Sequence, residues 1–265
     1  MKTISHLALL IVTALVASGC ISVRVDEVRV EDELGLQAVS ETRGFIAMET
    51  EANGEERPAM LYVPRDYDDS QEWPLIVFLH GAGERGSDGV RQSGVGIGPA
   101  IMKDPQRFPC LVFMPQCPKG EWWGPVPGRG GDKKSFAHIT DGIEQILKYY
   151  NIDEDRVTLT GLSMGGFGTF VYGNENTDRF AAFMPICGGG DPAWADSLAK
   201  RPMWVHHGDA DPVVPLERSQ QMVDAIREAG GDVKFTIYPG VGHNSWDNAY
   251  SRKEGAVEWL LAQER

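Results

Sequence analysis

Basic residues are scarce in this sequence. Its 265 residues contain 25 Lys and Arg against 38 Asp and Glu, which gives a formal net charge of −13. A surface that binds nucleic acid must neutralise phosphates with clustered cations. The charge balance therefore argues against nucleic acid as a partner, and solubility accounts for the acidity.

Cysteine is also scarce. Of the four cysteines, three follow residue 20, and an odd number leaves at least one unpaired. Cys110 and Cys117 flank a predicted strand, and the ~23 Å of extended chain between them is too long for one bridge. Cys117 with Cys187 is the better pair geometrically, and three free, buried thiols are the open alternative.

Long apolar runs are missing as well. The run at residues 7–16 is too short for a comfortable transmembrane helix. With Lys2 before it and small residues after it, the run predicts a secretory signal over residues 1–19. Residues 20–40 show little periodicity and are expected to form a flexible tether, which leaves 41–265 as one catalytic domain without repeats.

The end of the signal, Ala17-Ser18-Gly19-Cys20, resembles a bacterial lipobox. That resemblance implies that Cys20 becomes the lipidated first residue of an exported protein, anchored to the membrane in the periplasm or at the cell surface. Ala17 stands where a lipobox usually has leucine, and an ordinary signal peptide is the alternative.

The remaining pattern predicts an α/β fold. An antiparallel hairpin is expected near 44–50 and 57–63, because Asn53-Gly54 between extended runs is a strong turn signal. Strands at 75–79, 111–114, 157–160, 181–186, 203–207 and 233–238 then alternate with helices near 136–150, 164–173, 216–229 and 252–262. Such alternation predicts a mostly parallel central sheet with helices on both faces and the hairpin at one edge.

The most informative segment is Gly161-Leu162-Ser163-Met164-Gly165. A strand rich in β-branched residues precedes it and a helical pattern follows it, which together predict a nucleophile elbow with Ser163 at a strained tip. A Cβ at position 161 or 165 would crowd such a turn.

A serine hydroxyl needs a base and an orienting acid, and the expected order is Ser, acid, His. Asp211 is preferred as the acid because it lies further into the loop after a strand and is fixed by Pro212, whereas Asp209 is the alternative. His243, after the last strand, is the expected base. The other histidines after the signal, His80, His138, His206 and His207, are expected to be structural.

An oxyanion hole needs two backbone N–H groups. Met164, directly after the nucleophile, is expected to supply one, and Ala82 in the glycine-rich loop 80–86 the other. A second loop, 116–135, is rich in Gly and Pro and is expected to overhang the site. Its Trp122 and Trp123, together with Trp246, predict an aromatic wall for an acyl group or a sugar, with core packing as the alternative for each.

The segments that carry a family resemblance are 80–86, Pro115-Gln116-Cys117-Pro118, 160–166, 185–191, 207–215 and 242–246. They resemble the α/β-hydrolase superfamily, and more narrowly its phospholipase/carboxylesterase and dienelactone-hydrolase-like group, which includes polysaccharide-associated esterases and proteins labelled predicted peptidases. The resemblance covers about residues 40–265. It implies the same triad and the same oxyanion donors.

The expected function is a serine carboxylic ester hydrolase that forms an acyl-enzyme on small, aryl or polysaccharide-linked esters of acetyl or feruloyl type. A serine peptidase with the same triad is the alternative, and a non-catalytic binding lipoprotein is the third class. No metal or cofactor is expected, and the membrane is contacted only through a lipid at Cys20.

Overall fold

The centre of the structure is a mixed β-sheet in which six neighbouring strands run parallel. This computed structural model describes residues 8–17, 20–29, 42–126 and 128–265. The strands are Ala8–Ala17 (β1), Cys20–Arg29 (β2), Gly44–Ala52 (β3), Glu55–Val63 (β4), Trp73–Leu79 (β5), Leu111–Pro115 (β6), Ile152–Leu162 (β7), Ala182–Ile186 (β8), Met203–Gly208 (β9) and Val233–Tyr238 (β10). Their order across the sheet is β10-β9-β8-β7-β5-β6-β4-β3-β1-β2.

Helices cover this sheet on both faces. They are Ile97–Lys103 (α1), Lys134–Tyr149 (α2), Met164–Glu175 (α3), Ala195–Leu198 (α4), Glu217–Glu228 (α5), Trp246–Ala249 (α6) and Ala256–Leu261 (α7). One apolar core lies under α2, α3 and α5, and the other lies under α1, α6 and α7. The α/β-hydrolase fold predicted from the sequence is confirmed.

Strand β5 shows why its sequence is apolar throughout. Leu75, Val77 and Leu79 pack into one core, while Ile76 and Phe78 pack into the other. Alternate side chains of a strand point to opposite faces of the sheet. A parallel strand covered on both faces therefore needs a continuous apolar run, and this run fixes the position at which the loop after β5 leaves the sheet.

The predicted hairpin is confirmed as β3 and β4. Asn53 and Gly54 both have positive φ, 54° and 78°, the conformation of a two-residue turn that suits paired strands. Strand β4 pairs antiparallel with β6 and so joins the hairpin to the parallel strands. Beyond it, β1 pairs with β3 through Leu10 and Ala47.

The N-terminal segment contributes two strands to the sheet, and the tether expected over residues 20–40 stays a prediction. Residues 20–29 form β2, which pairs with β1 over ten positions, and the alternation of Ile and Val with polar residues from 21 to 26 suits a strand. Residues 1–7, 18–19 and 30–41 lie outside the described residues, so removal of 1–19 stays a prediction. Within the described chain, no helix is long and apolar enough to cross a membrane.

The helices depart from the sequence prediction at two places. Helix α1 was not predicted, and the helix expected near 252–262 begins only at Ala256, because Gly255 adopts a left-handed φ of 73°.

Cys110, Cys117 and Cys187 are free and buried. The free-thiol alternative therefore holds, and the Cys117–Cys187 pairing is wrong.

Candidate active site

Ser163 lies at a sharp turn between β7 and α3. Its φ of 54° and ψ of −115° are strained for a residue with a side chain. The N–H of Ser163 donates to the carbonyl of Ile186 at 2.9 Å, and its carbonyl accepts from Phe167 at 3.0 Å. The neighbouring strand and the first turn of α3 together hold the strained residue in place.

The glycines beside Ser163 are required by close approach of the backbone. A Cβ at Gly165 would lie 1.8 Å from the carbonyl oxygen of Leu79, and one at Gly161 would lie 2.3 Å from the carbonyl oxygen of Gly165. Both distances are far below van der Waals contact. The glycine spacing predicted from the sequence therefore follows from packing of the turn against β5.

His243 connects Ser163 to Asp211 through two hydrogen bonds. Nε2 of His243 lies 2.8 Å from Oγ of Ser163, and Nδ1 lies 2.7 Å from Oδ2 of Asp211. Because a carboxylate only accepts, Nδ1 carries the proton and Nε2 accepts from the serine hydroxyl. The imidazole side chain is 21% exposed and the carboxylate is fully shielded, so the histidine faces outward while the acid lies beneath it.

Asp211 is held as an anion by its neighbours. Burial by itself raises the pKa of this carboxyl, but the hydrogen bonds from His243 and from the N–H groups of Val214 and Val213 outweigh it and bring the pKa below its usual value. The two backbone bonds reach Oδ1 at 3.0 and 2.8 Å. They leave Oδ2 free to orient the histidine.

Asp209, the alternative acid, has another partner. Its Oδ1 accepts a 2.6 Å hydrogen bond from the N–H of Gly240. This bond ties the loop after β9 to the loop that carries His243. Asp209 therefore positions the two loops, and Asp211 is the carboxylate that faces the imidazole.

His207 contacts Asp211, which the sequence analysis did not predict. It is fully buried below Asp211, with Nε2 at 2.9 Å from the carbonyl of Val214 and 3.3 Å from Oδ2 of Asp211. Since a carbonyl only accepts, Nε2 carries the proton, while Nδ1 lies 2.7 Å from Oγ of Ser219, whose hydroxyl also lies 3.1 Å from the carbonyl of Gly188. Burial lowers the pKa of His207, so it stays a neutral donor to the acid loop. Its position four residues before Asp211 was the one available signal.

The predicted oxyanion donors lie on two segments that meet at Ser163. Met164 is the first residue of α3, whose opening N–H groups have no partner within the helix. Ala82 opens the short 3₁₀ turn after Gly81. A Cβ at Gly81 would lie 3.7 Å from Cβ of Ser163, so this loop packs directly against the serine.

His80 braces that loop. Its Nδ1 donates to the carbonyl of Gly81 at 2.6 Å, and its Nε2 accepts from the N–H of Cys117 at 2.9 Å. Burial lowers the pKa of His80 to about 4, so the imidazole is neutral at pH 7. The residue links the oxyanion loop to the start of the 116–135 loop.

The three tryptophans separate into different environments. Trp246 contacts the ring of His243 edge to face at 5.4 Å and is partly exposed. Trp122 is also partly exposed. Trp123 is only 1% exposed and donates from Nε1 to the carbonyl of His80. The prediction that Trp123 lines a substrate surface is therefore wrong, because the ring fills the core beneath the loop.

One cluster in the described chain has the donor set of a metal site. The ligand atoms of Cys187, Asp211 and His243 lie within 4.8 Å of one another. Asp211 and His243 are already joined by a hydrogen bond, so a cation there would have to displace the shared proton. Burial also raises the pKa of Cys187 to about 12, which disfavours the thiolate that a metal requires.

The sheet, the strand–turn–helix at Ser163 and the order of the three polar residues define an α/β-hydrolase. Residues 129–259 match the model of the dienelactone hydrolase family. Acyl-protein thioesterase 1 of Neurospora crassa is 48% identical over 205 residues, which cover 64% of this chain and 80% of that protein. The chain is therefore an α/β-hydrolase that contains a dienelactone hydrolase family domain and is related to acyl-protein thioesterase 1, and it is an enzyme of the carboxylesterase type.

Two further comparisons agree with this assignment. The crystal structure of a thermostable esterase matches with a TM-score of 0.78 at 38% identity, over 83% of this chain and 63% of that chain. Probable feruloyl esterase C of Aspergillus terreus is 27% identical over 201 residues, which cover 73% of this chain and 71% of that protein. This chain thus spans somewhat less than two thirds of the thermostable esterase.

Proposed function

We propose that this chain is a serine carboxylic ester hydrolase in which Ser163 is the nucleophile, His243 the general base and Asp211 the orienting acid. The observation that carries this proposal is the continuous hydrogen-bonded path from the Ser163 hydroxyl through the imidazole to the shielded carboxylate. A base within hydrogen-bond reach is what converts a serine hydroxyl into a nucleophile.

In the first half of the reaction, Ser163 Oγ attacks the ester carbonyl carbon while Nε2 of His243 takes the hydroxyl proton. The oxyanion that forms accepts hydrogen bonds from the N–H groups of Met164 and Ala82. His243 then gives the proton to the leaving alcohol oxygen, and the carbon–oxygen bond to the alcohol breaks. Asp211 holds the imidazole and stabilises its positive charge.

In the second half, a water molecule attacks the acyl carbon. His243 accepts a proton from this water and returns it to Oγ of Ser163 as the acid departs. The exposed part of the His243 side chain, 21% of its surface, lies beside the ring of Trp246 and gives both the alcohol and the water access to the imidazole.

The proposed substrates are small, aryl or polysaccharide-linked esters of acetyl or feruloyl type. Similarity to the probable feruloyl esterase C of Aspergillus terreus supports the feruloyl part of this range, and similarity to acyl-protein thioesterase 1 of Neurospora crassa makes thioesters a necessary comparison. Trp246 beside the base, and Trp122 at the edge of the same site, supply apolar surface for an acyl group or a sugar.

The deciding experiment combines one variant with one substrate panel. Ser163→Ala is expected to lower kcat on 4-nitrophenyl acetate by about 10⁴-fold or more, with an unchanged circular dichroism spectrum. Wild-type protein is then compared on short acyl, feruloyl and acetyl-xylan esters, an acyl thioester and aminoacyl amides. A higher kcat/KM on amides than on esters would make the chain a peptidase instead, and retained activity in Ser163→Ala would remove the serine mechanism.

We also propose that the chain is exported and anchored through lipid on Cys20, which rests on the lipobox-like sequence. Cleavage before Cys20 would remove β1. Mass spectrometry of protein from bacterial membranes is expected to find residue 20 as a lipid-modified N-terminus, and Cys20→Ser should prevent both processing and membrane retention. A mature protein cleaved elsewhere, without lipid, would contradict the anchor.

A further inference from the structure

Two arginines lie on an aromatic surface close to the nucleophile. The guanidinium of Arg85 lies over the ring of Trp122, with Cζ 5.1 Å from the centroid. Arg129 lies 5.7 Å from the Trp122 centroid and 4.7 Å from that of Phe167. The two rings meet edge to face at 6.5 Å. Two separate loops therefore bring positive charge to one aromatic surface.

This surface adjoins the reacting serine. Phe167 lies one helical turn after Ser163 and donates its N–H to the Ser163 carbonyl. On the other side, Trp123 anchors the tryptophan pair to the carbonyl of His80, which precedes the oxyanion loop. The aromatic surface therefore lies between the helix that follows Ser163 and the loop that carries Ala82.

A third arginine approaches the same surface from α5. A Cβ at Gly189 would lie 2.9 Å from Cβ of Arg218 and 2.9 Å from Cε1 of Phe167, so these two side chains flank one glycine. Arg218 occupies the first turn of its helix. The helix dipole disfavours a cation at that end, so helix stability does not explain the choice of arginine there.

Among the described residues, Arg85, Arg129 and Arg218 form no ion pair with Asp or Glu, and Arg85 also has buried donors without a partner. Nε and Nη2 of Arg85 are buried and have no hydrogen-bond partner in the described chain. Ion pairs with Asp or Glu are formed elsewhere by Arg57, Arg91, Arg107, Arg179, Arg252 and Arg265. Buried guanidinium donors of Arg85 without a partner, on an aromatic surface next to the segments that flank Ser163, point to an acceptor that the ligand brings.

We propose that Arg85, Arg129 and Arg218 bind a carboxylate of the substrate, so that the preferred esters carry a negative charge on either the acyl or the alcohol part. This inference rests on the proposed ester hydrolysis at Ser163. A guanidinium presents a planar pair of N–H donors that matches a carboxylate, and Trp122 holds the Arg85 fork by stacking. The positive surface also attracts an anion that the rest of this acidic protein repels.

The test compares matched anionic and neutral esters. For the acyl side, 4-nitrophenyl hemisuccinate is compared with 4-nitrophenyl butyrate, and for the alcohol side, 3-acetoxybenzoate is compared with phenyl acetate. In Arg85→Gln, the ratio of kcat/KM for the anionic ester to that for the neutral ester is expected to fall about tenfold or more in one pair, since a charge-assisted hydrogen bond is lost. Raising the salt concentration should lower the wild-type ratio as well.

Arg129→Gln and Arg65→Gln complete the design. Arg129 is exposed, so its variant is expected to fold and to lower the same ratio even if Arg85→Gln is destabilised. Arg65 is an exposed arginine directly after β4. Because β4 runs antiparallel to β6 and Tyr62 pairs with Val112, Arg65 lies near the amino ends of the parallel strands, away from Ser163. Its variant should leave the ratio unchanged.

The outcomes separate this inference from the proposed function. If the ratio of anionic to neutral kcat/KM falls in one ester pair only, the inference is supported, and that pair shows whether the carboxylate lies on the acyl or the alcohol side. Unchanged ratios in both Arg85→Gln and Arg129→Gln overturn it and leave these arginines as packing partners of Trp122. If wild-type protein hydrolyses none of the four esters, ester hydrolysis itself is the claim that fails.

Discussion

Nε2 of His207 lies 3.3 Å from Oδ2 of Asp211, the carboxylate oxygen that accepts the hydrogen bond from His243. The same nitrogen donates to the carbonyl of Val214. A buried, neutral imidazole therefore fixes the loop that carries the proposed acid, which makes His207 a positioning residue.

Replacing His207 tests this role. We expect His207→Ala to lower kcat on 4-nitrophenyl acetate about tenfold with little change in KM, because a displaced acid misorients the base. His207→Gln keeps an N–H donor and should retain most of the activity. Steady-state kinetics of both variants, with thermal unfolding measured in parallel, separate positioning from stability. Equal losses of kcat in the two variants would argue against the positioning role.

The choice between the two aspartates gives a second prediction. Asp211→Asn is expected to lower kcat by at least about 10²-fold, because an amide can present a donor to Nδ1 and favour the wrong tautomer. Asp209→Asn keeps an oxygen that accepts from the N–H of Gly240 and should stay within about threefold of wild type. The reverse ranking of the two kcat values would move the acid to position 209.

The elbow glycines give a prediction about stability. Gly165→Ala is expected to cost at least about 3 kcal/mol, because its Cβ would overlap the Leu79 carbonyl and the surrounding strands must shift. For a domain of this size, the unfolding midpoint should fall by roughly 10 °C. Gly94→Ala is the matched control, since a Cβ there meets nothing within 4 Å. Similar melting curves for the two variants would contradict this account of the turn.

Acid sensitivity of the fold gives a fourth prediction. Burial lowers the pKa of His206 to about 3, so its imidazole stays neutral in the folded protein, whereas an unfolded histidine takes up a proton near ~6.5. Below that pH the unfolded state binds more protons, so stability is lost as pH falls from ~6.5 towards about 3. The difference between the folded and the unfolded pKa of His206 corresponds to about 5 kcal/mol of unfolding free energy, lost by the acid end of this range.

Urea unfolding between pH 7 and pH 4.5 checks the contribution of His206. His206→Gln should show a shallower loss of unfolding free energy than wild type over this range, because the glutamine does not titrate and its side chain keeps a polar group near Tyr238 Oη, which lies 2.8 Å from His206 Nδ1. A constant difference between the two proteins at every pH would show that His206 does not carry the pH dependence.

Much of the fold was predictable because local signals agreed with one another. The Asn53-Gly54 dipeptide predicted the hairpin, whose turn needs two positive φ angles, and continuous apolar runs predicted the buried strands. Helix α1 was missed because its Gly98 and Pro99 disguise a helical pattern. The sequence pattern did not distinguish the two adjacent tryptophans of the loop. Trp122 is partly exposed at the surface, whereas Trp123 is buried in the core.

The sequence by itself determined the elbow and the order of serine, acid and histidine, because a strained turn between a strand and a helix accepts few residue types. Only the tertiary structure decided which carboxylate faces the imidazole, that His207 lies beneath it, and that arginines from distant segments meet on one aromatic surface. Those facts depend on how loops from separate strands approach one another at one edge of the sheet. The residue pattern within a single segment does not encode how closely two loops approach each other.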